Sequence, residues 1–310
     1  MNRETLRSKF LGSLIGTAAG DALGASMEGW RMVAEGEVEA LAERGGPLIY
    51  TDDTHMAIGI AESLIAKEGF DGEHMTRAFI RNYELEPFRG YGPGPPRIFR
   101  MIRGGEAWDK AAEKLYSGGS YGNGSAMRIA PIGVFYHDDP TTLKQVAYES
   151  SQITHAHELG KEGAALQACA IASATGAEPS LPFNRDDFLG RLSNFIEHEV
   201  YKQKLRSIES LIGEGDRDRV VLELGNGIEA FNSVPTAIYS FLTHPQSFAE
   251  AIIYAISLGG DTDTIAAMTG AISGAYLGIE AIPETWRERL ENRDYIEELA
   301  EELWLIKTKG

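Results

Sequence analysis

The chain has 310 residues, 43% of them hydrophobic, so it can bury a large core and is still short enough for one domain. Its formal net charge of −17 argues against a basic nucleic-acid-binding face, and an anionic ligand would need cations or backbone N–H groups to offset the repulsion. The single cysteine, Cys169, permits no internal disulfide and favours a buried thiol in a reducing compartment. No stretch has the character of a membrane span. We therefore expect a cytoplasmic protein that binds neither membranes nor nucleic acid directly.

Apolar residues recur at three- and four-residue spacing along most of the chain, which is the pattern of amphipathic helices. Alternating patterns are scarce, and we predict only short extended pieces at 47–50 and 129–135, with a surface loop at 176–187. The sequence thus predicts an all-α fold, one compact multi-helix domain spanning residues 1–310. The predicted helices are 7–20, 54–67, 72–84, 97–103, 141–151, 158–175, 186–213, 216–231, 247–257, 264–278 and 286–305.

Several glycine-rich or acidic segments are predicted as loops between these helices. In chain order they are "GDALGASMEG" (20–29), "YTDDTH" (50–55), "GYGPGPP" (90–96), "SYGNGSAMR" (120–128) and "GGDTDT" (259–264). These loops carry most of the functional information in the sequence.

Two of the loops place hydroxyls and carboxylates at, or just before, the first turn of a helix. N-capping is the ordinary explanation for such residues, but one residue is enough to cap a helix and here each loop offers several. Oxygen ligands of this kind suit Mg²⁺, Mn²⁺ or Ca²⁺ and not zinc, and a cation explains why adjacent carboxylates are tolerated. With Glu28 as a further donor, two ions are plausible. The candidate metal ligands are Thr51, Asp52, Asp53, Asp261, Asp263 and Thr264.

The glycine-rich loops offer backbone N–H groups that could cradle a phosphate, although an ordinary turn also explains each of them and is the more common explanation for the first. In the second glycine-rich loop, "SYGNGSAMR" (120–128), Tyr121 could also stack on a nucleobase. His155 lies near a predicted helix start, where a histidine is more often structural than catalytic, but it could donate to a phosphate or hydroxyl.

Taken together, these motifs resemble the ADP-ribosylglycohydrolase family over most of the chain. The segment "LGNGIEAFNSVPTAIYSFL" (224–242) resembles in particular the subgroup that cleaves serine-linked ADP-ribose, poly(ADP-ribose) and O-acetyl-ADP-ribose. The motifs that carry the resemblance are "GDALG" with Glu28, "TDDT", "GYGPG", "SYGNGSAMR", "THAHELG" and "GGDTDT".

The resemblance implies an all-helical fold with two Mg²⁺ or Mn²⁺ ions between the two acidic loops, held by the six candidate ligands. It also implies that Glu28 takes part in catalysis, and we take Glu28, Asp53 and Asp263 as the candidate catalytic carboxylates. The implied ADP-ribose contacts are Gly90, Gly92, Gly94, Ser120, Tyr121, Gly122, Asn123, His155, Ile228 and Ser233.

We therefore predict a metal-dependent hydrolase that releases ADP-ribose from ADP-ribosylated protein or another ADP-ribose conjugate by attack of water at the anomeric carbon of the distal ribose. Serine-linked, O-acetyl or poly(ADP-ribose) substrates are favoured, and an arginine-linked substrate is the alternative. A catalytically silent ADP-ribose-binding protein and a metal-dependent pyrophosphatase are the competing classes. The protein is expected to be a monomer.

Overall fold

A computed structural model describes residues 1–178, 181, 183–213 and 215–309. Within these residues the regular structure consists of seventeen α-helices, three short 3₁₀ helices and two isolated β-bridges, so the predicted all-α fold is confirmed. The α-helices are α1 (Arg3–Gly24), α2 (Glu35–Glu43), α3 (Asp52–Lys67), α4 (Gly72–Leu85), α5 (Gly94–Arg103), α6 (Ala111–Leu115), α7 (Ala130–Phe135), α8 (Pro140–Gln152), α9 (Glu158–Gly176), α10 (Arg185–Phe195), α11 (Glu199–Leu211), α12 (Arg217–Leu224), α13 (Ala230–Thr243), α14 (Phe248–Ser257), α15 (Thr262–Leu277), α16 (Glu284–Arg289) and α17 (Arg293–Lys307).

Helices α1 and α15 are buried along most of their length and lie antiparallel in direct contact. Glycines make this contact possible, because a Cβ atom at Gly12 would lie 2.4 Å from the carbonyl oxygen of Gly274. At the other end of the pair, a Cβ atom at Gly24 would lie 2.4 Å from the carbonyl oxygen of Thr262. The close approach brings the C-terminal end of α1 beside the N-terminal end of α15.

The main hydrophobic core draws on helices from α1 to α17, from Phe10 to Trp304, which agrees with a single domain. A small second cluster around Ile98 lies where α5 and α6 pack together. Cys169 is buried within α9, as predicted. None of the described helices combines the length and the apolar character needed to cross a membrane.

Three of the long predicted helices are wrong because each runs across a break. The prediction at 186–213 covers α10 and α11, which separate where the buried Glu162 carboxylate accepts the backbone N–H groups of Glu197 and His198. The prediction at 216–231 runs past the end of α12, where Gly225 adopts a positive φ of 86°. The prediction at 286–305 covers α16 and α17, which separate where Leu290 pairs with Leu48 in a parallel bridge.

The two extended pieces and two of the loops also need correction. Residues 129–135 are not extended but form α7, whose Pro131 lies in the first turn, where a missing N–H costs no helical hydrogen bond. At 47–50 only Leu48 pairs, in the isolated bridge. The first half of 20–29 is not a loop, because α1 continues to Gly24 and is followed by a 3₁₀ helix over Ala25–Met27.

The predicted loop at 176–187 begins at the last residue of α9, and its final residues form the start of α10. Its residues 179, 180 and 182 lie outside the described part of the chain. Besides α7, three observed helices, α2, α6 and α13, were not predicted.

Candidate active site

The two acidic segments meet at one cavity of about 330 Å³. One segment forms the start of α3 and the other the start of α15, so two helix N-termini face the same space. The positive ends of the two helix dipoles favour negative charge there. All six predicted metal ligands line the cavity: Thr51, Asp52, Asp53, Asp261, Asp263 and Thr264.

N-capping accounts for only part of this acidic set. Thr51 is the N-cap of α3, and its side chain accepts the backbone N–H of Asp53 at 3.4 Å. Asp261 occupies the N-cap position of α15, but its side chain accepts no helix N–H and instead accepts a hydrogen bond from the Asn123 amide. N-capping therefore does not account for the Asp261 carboxylate.

The oxygen atoms are placed as a divalent cation requires. One carboxylate oxygen each from Glu28, Asp261 and Asp263 lies within 4.8 Å of the others. Across the cavity, Asp53 Oδ2 is buried and has no hydrogen-bond partner in the described structure. A buried carboxylate oxygen without a partner is costly, and a hard cation would satisfy it. These residues fit Mg²⁺ or Mn²⁺.

Asp21 of α1 holds the N-terminus of α3 in place, and sequence analysis missed it as a site residue. Its fully buried carboxylate accepts the backbone N–H groups of Thr51 and Thr54, each at 3.0 Å. The same carboxylate accepts both threonine hydroxyls, at 2.8 Å and 2.6 Å. A carboxylate in the otherwise apolar "GDALG" segment at the end of α1 was the available signal, but its target is set only by tertiary packing.

Burial and mutual repulsion raise the pKa of the carboxyls at this end of the cavity. Burial is the main cause for Asp21 and Asp263, whose pKa values rise to about 7, and for Asp52, whose pKa rises to about 8. The pKa of Asp53 is raised in the same direction and by the same cause. For Glu28 the charge of Asp263 is the larger cause and burial the smaller. Without bound cations, these carboxyls therefore bind protons near neutral pH.

A buried arginine, Arg128, lies behind the acidic end of the cavity. The Arg128 side chain is fully buried, and its guanidinium donates to the Ser150 carbonyl at 3.0 Å and lies 4.6 Å from the centre of the Phe79 ring. Its Nε has no partner in the described structure. Burial lowers its pKa to about 9, and the charge of Asp52 opposes that shift. Arg128 is the last residue of "SYGNGSAMR", and we had assigned it no role.

The first glycine loop forms a second wall. Gly90, Gly92 and Gly94 all line the cavity, and Gly90 has a positive φ of 90°. Pro93 and Pro95, which also line it, have no backbone N–H. This loop therefore offers a phosphate fewer donors than a run of glycines would.

The second glycine loop is held by the segment before α13. The backbone N–H of Asn123 donates to the Ile228 carbonyl at 2.9 Å, and Gly122 pairs with Glu229 in an antiparallel bridge. Ser120, Gly122, Asn123 and Ile228 line the cavity.

Two predicted ADP-ribose contacts do not line the cavity. Tyr121 is 48% exposed, and its ring lies beside His157, with ring centres 5.5 Å apart. Ser233 is fully buried and accepts a hydrogen bond from the Asn123 side-chain amide at 3.0 Å, so it supports a lining residue from behind.

His155 lines the cavity as a neutral ring. It packs on Gly124, where a Cβ atom would lie 2.5 Å from the ring, and its Nδ1 lies 2.8 Å from the Thr154 hydroxyl. Burial, with a smaller contribution from the charge of Arg128, lowers its pKa to about 3. His155 can therefore donate or accept a hydrogen bond but carries no charge at neutral pH.

The remaining wall comes from residues to which the sequence analysis gave no individual role; of these, Met56 and Tyr116 lie outside the singled-out segments, and only the fold brings them to the cavity. The aromatic Tyr116 lies beside Gly94, where a Cβ atom would be 3.4 Å from its hydroxyl. The lining residues not predicted are Met56, Pro93, Pro95, Tyr116, Gly124, Met127 and Thr154.

The fold and the cavity together define an all-helical protein with a carboxylate-rich, oxygen-only ligand set at the meeting point of two helix N-termini. A sequence profile of the ADP-ribosylglycohydrolase family matches residues 2–309. The chain belongs to that family and is a hydrolase that acts on glycosidic bonds of ADP-ribose, as its resemblance predicted.

Individual relatives agree with this assignment. The chain is 37% identical to ADP-ribosylhydrolase ARH3 of Mus musculus, covering 96% of this chain and 91% of that protein. It is 38% identical to ADP-ribosylhydrolase ARH3 of Homo sapiens, covering 98% and 94%. A solved structure described as an ADP-ribosylglycohydrolase-related protein complex matches with a TM-score of 0.78 at 27% identity, covering 98% of this chain and all of that one.

Proposed function

We propose that this protein is a divalent-cation-dependent hydrolase that cleaves the bond between the distal ribose of ADP-ribose and a serine side chain or another oxygen-linked acceptor. One observation supports this most strongly: the starts of α3 and α15 bring Asp53, with its unpartnered buried Oδ2, to the same cavity as the Glu28, Asp261 and Asp263 oxygens. Such a cluster is stable in a charged form only if cations occupy it.

The residues that would hold two Mg²⁺ or Mn²⁺ ions are the six ligands predicted from the sequence. Bound there, the cations would supply positive charge for the ribose hydroxyls and lower the pKa of a coordinated water. On the protein side, Asp21 and Arg128 support the arrangement, the first through hydrogen bonds to the α3 N-terminus and the second through its buried charge.

Glu28 is placed to move the proton. It is exposed, whereas Asp53, Asp261 and Asp263 are buried, and its pKa is raised by the charge of Asp263. We assign to it the role of accepting a proton from the attacking water or returning one to the leaving group. Asp53 and Asp263 would act from the buried side, where their negative charge stabilises the positive charge that develops on the ribose.

The rest of ADP-ribose would extend from the carboxylate end toward the two glycine loops. No Lys or Arg side chain is among the described residues that line the cavity. The diphosphate would therefore be held by backbone N–H groups of Gly90, Gly92 and Gly94, by the Ser120 hydroxyl, which accepts the Gly122 N–H at 3.2 Å, and by the neutral ring of His155.

Two observations support a serine-linked or other oxygen-linked substrate over an arginine-linked one. Residues 224–242 resemble the subgroup that acts on serine-linked and O-acetyl substrates, and Ile228 of that segment lines the cavity. The chain is also less similar to a relative named for arginine: it is 25% identical to ADP-ribosylarginine hydrolase Tri1 of Pseudomonas putida, covering 94% of this chain and 77% of that protein.

The test is release of free ADP-ribose from serine-linked and arginine-linked peptides, each with Mg²⁺ and with EDTA. We expect release from the serine-linked peptide in Mg²⁺ and none in EDTA. Release from the arginine-linked peptide alone would support the proposed hydrolysis but contradict the proposed serine linkage. AMP as the product would indicate a pyrophosphatase, and binding without release would indicate a silent ADP-ribose-binding protein.

We further propose that the active protein is a cytoplasmic monomer of one domain spanning residues 1–310. Elution at a mass near 33.8 kDa in size-exclusion chromatography with light scattering would support the monomer. A mass of twice that value would overturn it.

A further inference from the structure

A second, more open cavity of about 640 Å³ adjoins the first at its carboxylate end. The two cavities share Thr51 and Gly90. A Cβ atom at Gly90 would lie 3.5 Å from Asp52 Oδ1, so the second cavity borders the acidic cluster at this glycine. We call this second cavity the side groove; Ile49, Tyr50, Leu85, Glu86, Pro87, Phe88, Arg89 and Glu291 complete its lining.

The side groove collects exposed apolar side chains. Phe88 is 99% exposed, Leu85 72% and Ile49 55%. Single exposed apolar residues are normal on a protein surface, but three in one groove mark a site of contact with another molecule. Because Phe88 is almost wholly exposed, packing within the chain does not account for an aromatic residue at this position.

The segment that carries Phe88 is firmly anchored. The neighbouring Arg89 donates to both carboxylate oxygens of Glu291, at 2.6 Å and 3.0 Å, and to the Tyr50 carbonyl at 3.2 Å. Its guanidinium also lies 4.5 Å from the centre of the Tyr50 ring. Phe88 is therefore presented on a preorganised support, which lowers the entropic cost of binding a partner there.

The charges of the side groove also restrict its partner. Among the described residues that line the groove, Arg89 is the basic one, and Arg89 forms ion pairs with both Glu86 and Glu291. The three groups together carry one excess negative charge, on a chain whose net charge is −17. A neutral or basic partner fits this surface, and an acidic one does not.

We propose that the side groove binds the polypeptide that carries the ADP-ribosylated residue, with Phe88 packing against an apolar or aliphatic side chain close to the modification. This inference rests on the proposed function, because the scissile bond would lie at the carboxylate end of the main cavity, where the two cavities join. A small acceptor such as an acetyl group would leave the side groove empty. A polypeptide would continue out of the main cavity along it.

The test compares Phe88→Ala with the wild-type protein on two substrates. One is an ADP-ribosylated peptide of neutral or basic sequence, in whichever linkage the wild type cleaves, and the other is O-acetyl-ADP-ribose, which has no polypeptide. We expect Phe88→Ala to lower kcat/KM for the peptide about tenfold and to change that for O-acetyl-ADP-ribose less than about twofold. Leu222→Ala is the matched control, because Leu222 is apolar, 84% exposed and part of neither cavity. Equal losses on both substrates, or no loss on the peptide, would overturn the proposal.

A binding measurement separates failure of this inference from failure of the proposed function. If the wild type cleaves neither substrate, the dissociation constants of the ADP-ribosylated peptide and of free ADP-ribose are compared by fluorescence anisotropy. If the side groove binds the polypeptide, the wild type should bind the ADP-ribosylated peptide more tightly than free ADP-ribose. In Phe88→Ala the two dissociation constants should become equal. Equal dissociation constants in the wild type would overturn the inference.

Discussion

Glu28 differs from the buried carboxylates around it because its side chain is exposed while its backbone is tied down. The next residue, Gly29, has a positive φ of 76°, and its N–H donates to the Gly260 carbonyl at 2.8 Å. This contact fixes the Glu28 loop to the loop that carries Asp261. The arrangement suits a residue that exchanges protons with solvent next to a fixed acidic cluster.

Replacing Glu28 by Gln should lower kcat for ADP-ribose release by about 10²- to 10⁴-fold, because the amide cannot take up a proton. The melting temperature should stay within about 2 °C of the wild type, since the side chain is exposed. Glu39→Gln, an exposed residue of α2, is the control and should keep full activity. A Glu28→Gln variant with wild-type kcat would rule out the assigned role.

Single residues also show what the sequence could reveal about the site. The acidic residues of α3 and α15 were predictable, because several carboxylates and hydroxyls at one helix start exceed what capping needs. Asp21 and Arg128 were not, since the first serves another helix and the second acts from a buried position behind the cavity wall. Tyr121 belongs to the second glycine loop and Ser233 to the segment 224–242, but the first lies beside the cavity and the second behind it.

At the scale of helices, the position of α3 depends on a contact from α1. Replacing Asp21 by Ala removes the acceptor for the N–H and O–H groups of Thr51 and Thr54. Leaving buried donors unpaired should lower the free energy of unfolding by about 2–4 kcal/mol, measured in urea at pH 6, below the pKa of about 7 for Asp21. Asp294→Ala, which loses only an exposed contact with Arg293, should change it by less than about 1 kcal/mol. Equal effects of the two variants would contradict this account of Asp21.

The contact between α1 and α15 can be tested with one added methyl group. A Cβ atom at Gly16 would lie 2.3 Å from the Gly270 carbonyl oxygen, so Gly16→Ala should lower the free energy of unfolding by about 1–3 kcal/mol. At Gly190, within α10, such a Cβ would have no atom of the described residues within 4 Å, and Gly190→Ala should leave the free energy of unfolding unchanged or raise it by up to about 1 kcal/mol. Urea unfolding of both variants measures the difference, and a neutral Gly16→Ala would show that the two helices can separate.

The sequence predicted eight of the helices one for one but could not place the breaks within three other predicted helices. Glu162 ends one apparent run by accepting backbone N–H groups from a distant segment, which no local pattern records. The apolar residues of α7 read equally well as a strand or as a short buried helix. Helix α13 was missed because Pro235 lies within it.

For the whole molecule, the dominant feature is negative charge concentrated where the two helices meet. The pKa values of Asp21 and Asp263 near 7 and of Asp52 near 8 lie above those of an unfolded chain, so the folded protein binds more protons in this range. The contribution of these carboxyls to the free energy of unfolding is complete below their unfolded pKa values near 4. It falls as pH rises and is lost once pH has passed through the folded pKa values of about 7 to 8. Divalent cations would replace the protons that are lost.

In EDTA, the melting temperature should therefore fall between pH 7 and pH 8. Unfolded histidines are mostly neutral in this window, and loss of a proton from buried Lys9, whose pKa is about 8, offsets only part of the fall caused by the three carboxyls. Mg²⁺ should raise the melting temperature more at pH 8 than at pH 7, because metal ligands bind as carboxylates. Differential scanning fluorimetry provides the measurement. A melting temperature in EDTA that rises over this window would contradict the charge distribution described here.

We propose that the acidic cluster at the starts of α3 and α15 holds the cations that hydrolysis needs. The most direct measurement is the rate of ADP-ribose release from a serine-linked peptide as Mg²⁺ is titrated into protein stripped with EDTA, for the wild type and for Asp263→Asn. We predict no release without Mg²⁺, a saturable rise for the wild type, and at least about a hundredfold lower rate for Asp263→Asn at the same Mg²⁺ concentration. Release that persists in EDTA, or an Asp263→Asn variant as active as the wild type, would contradict the account.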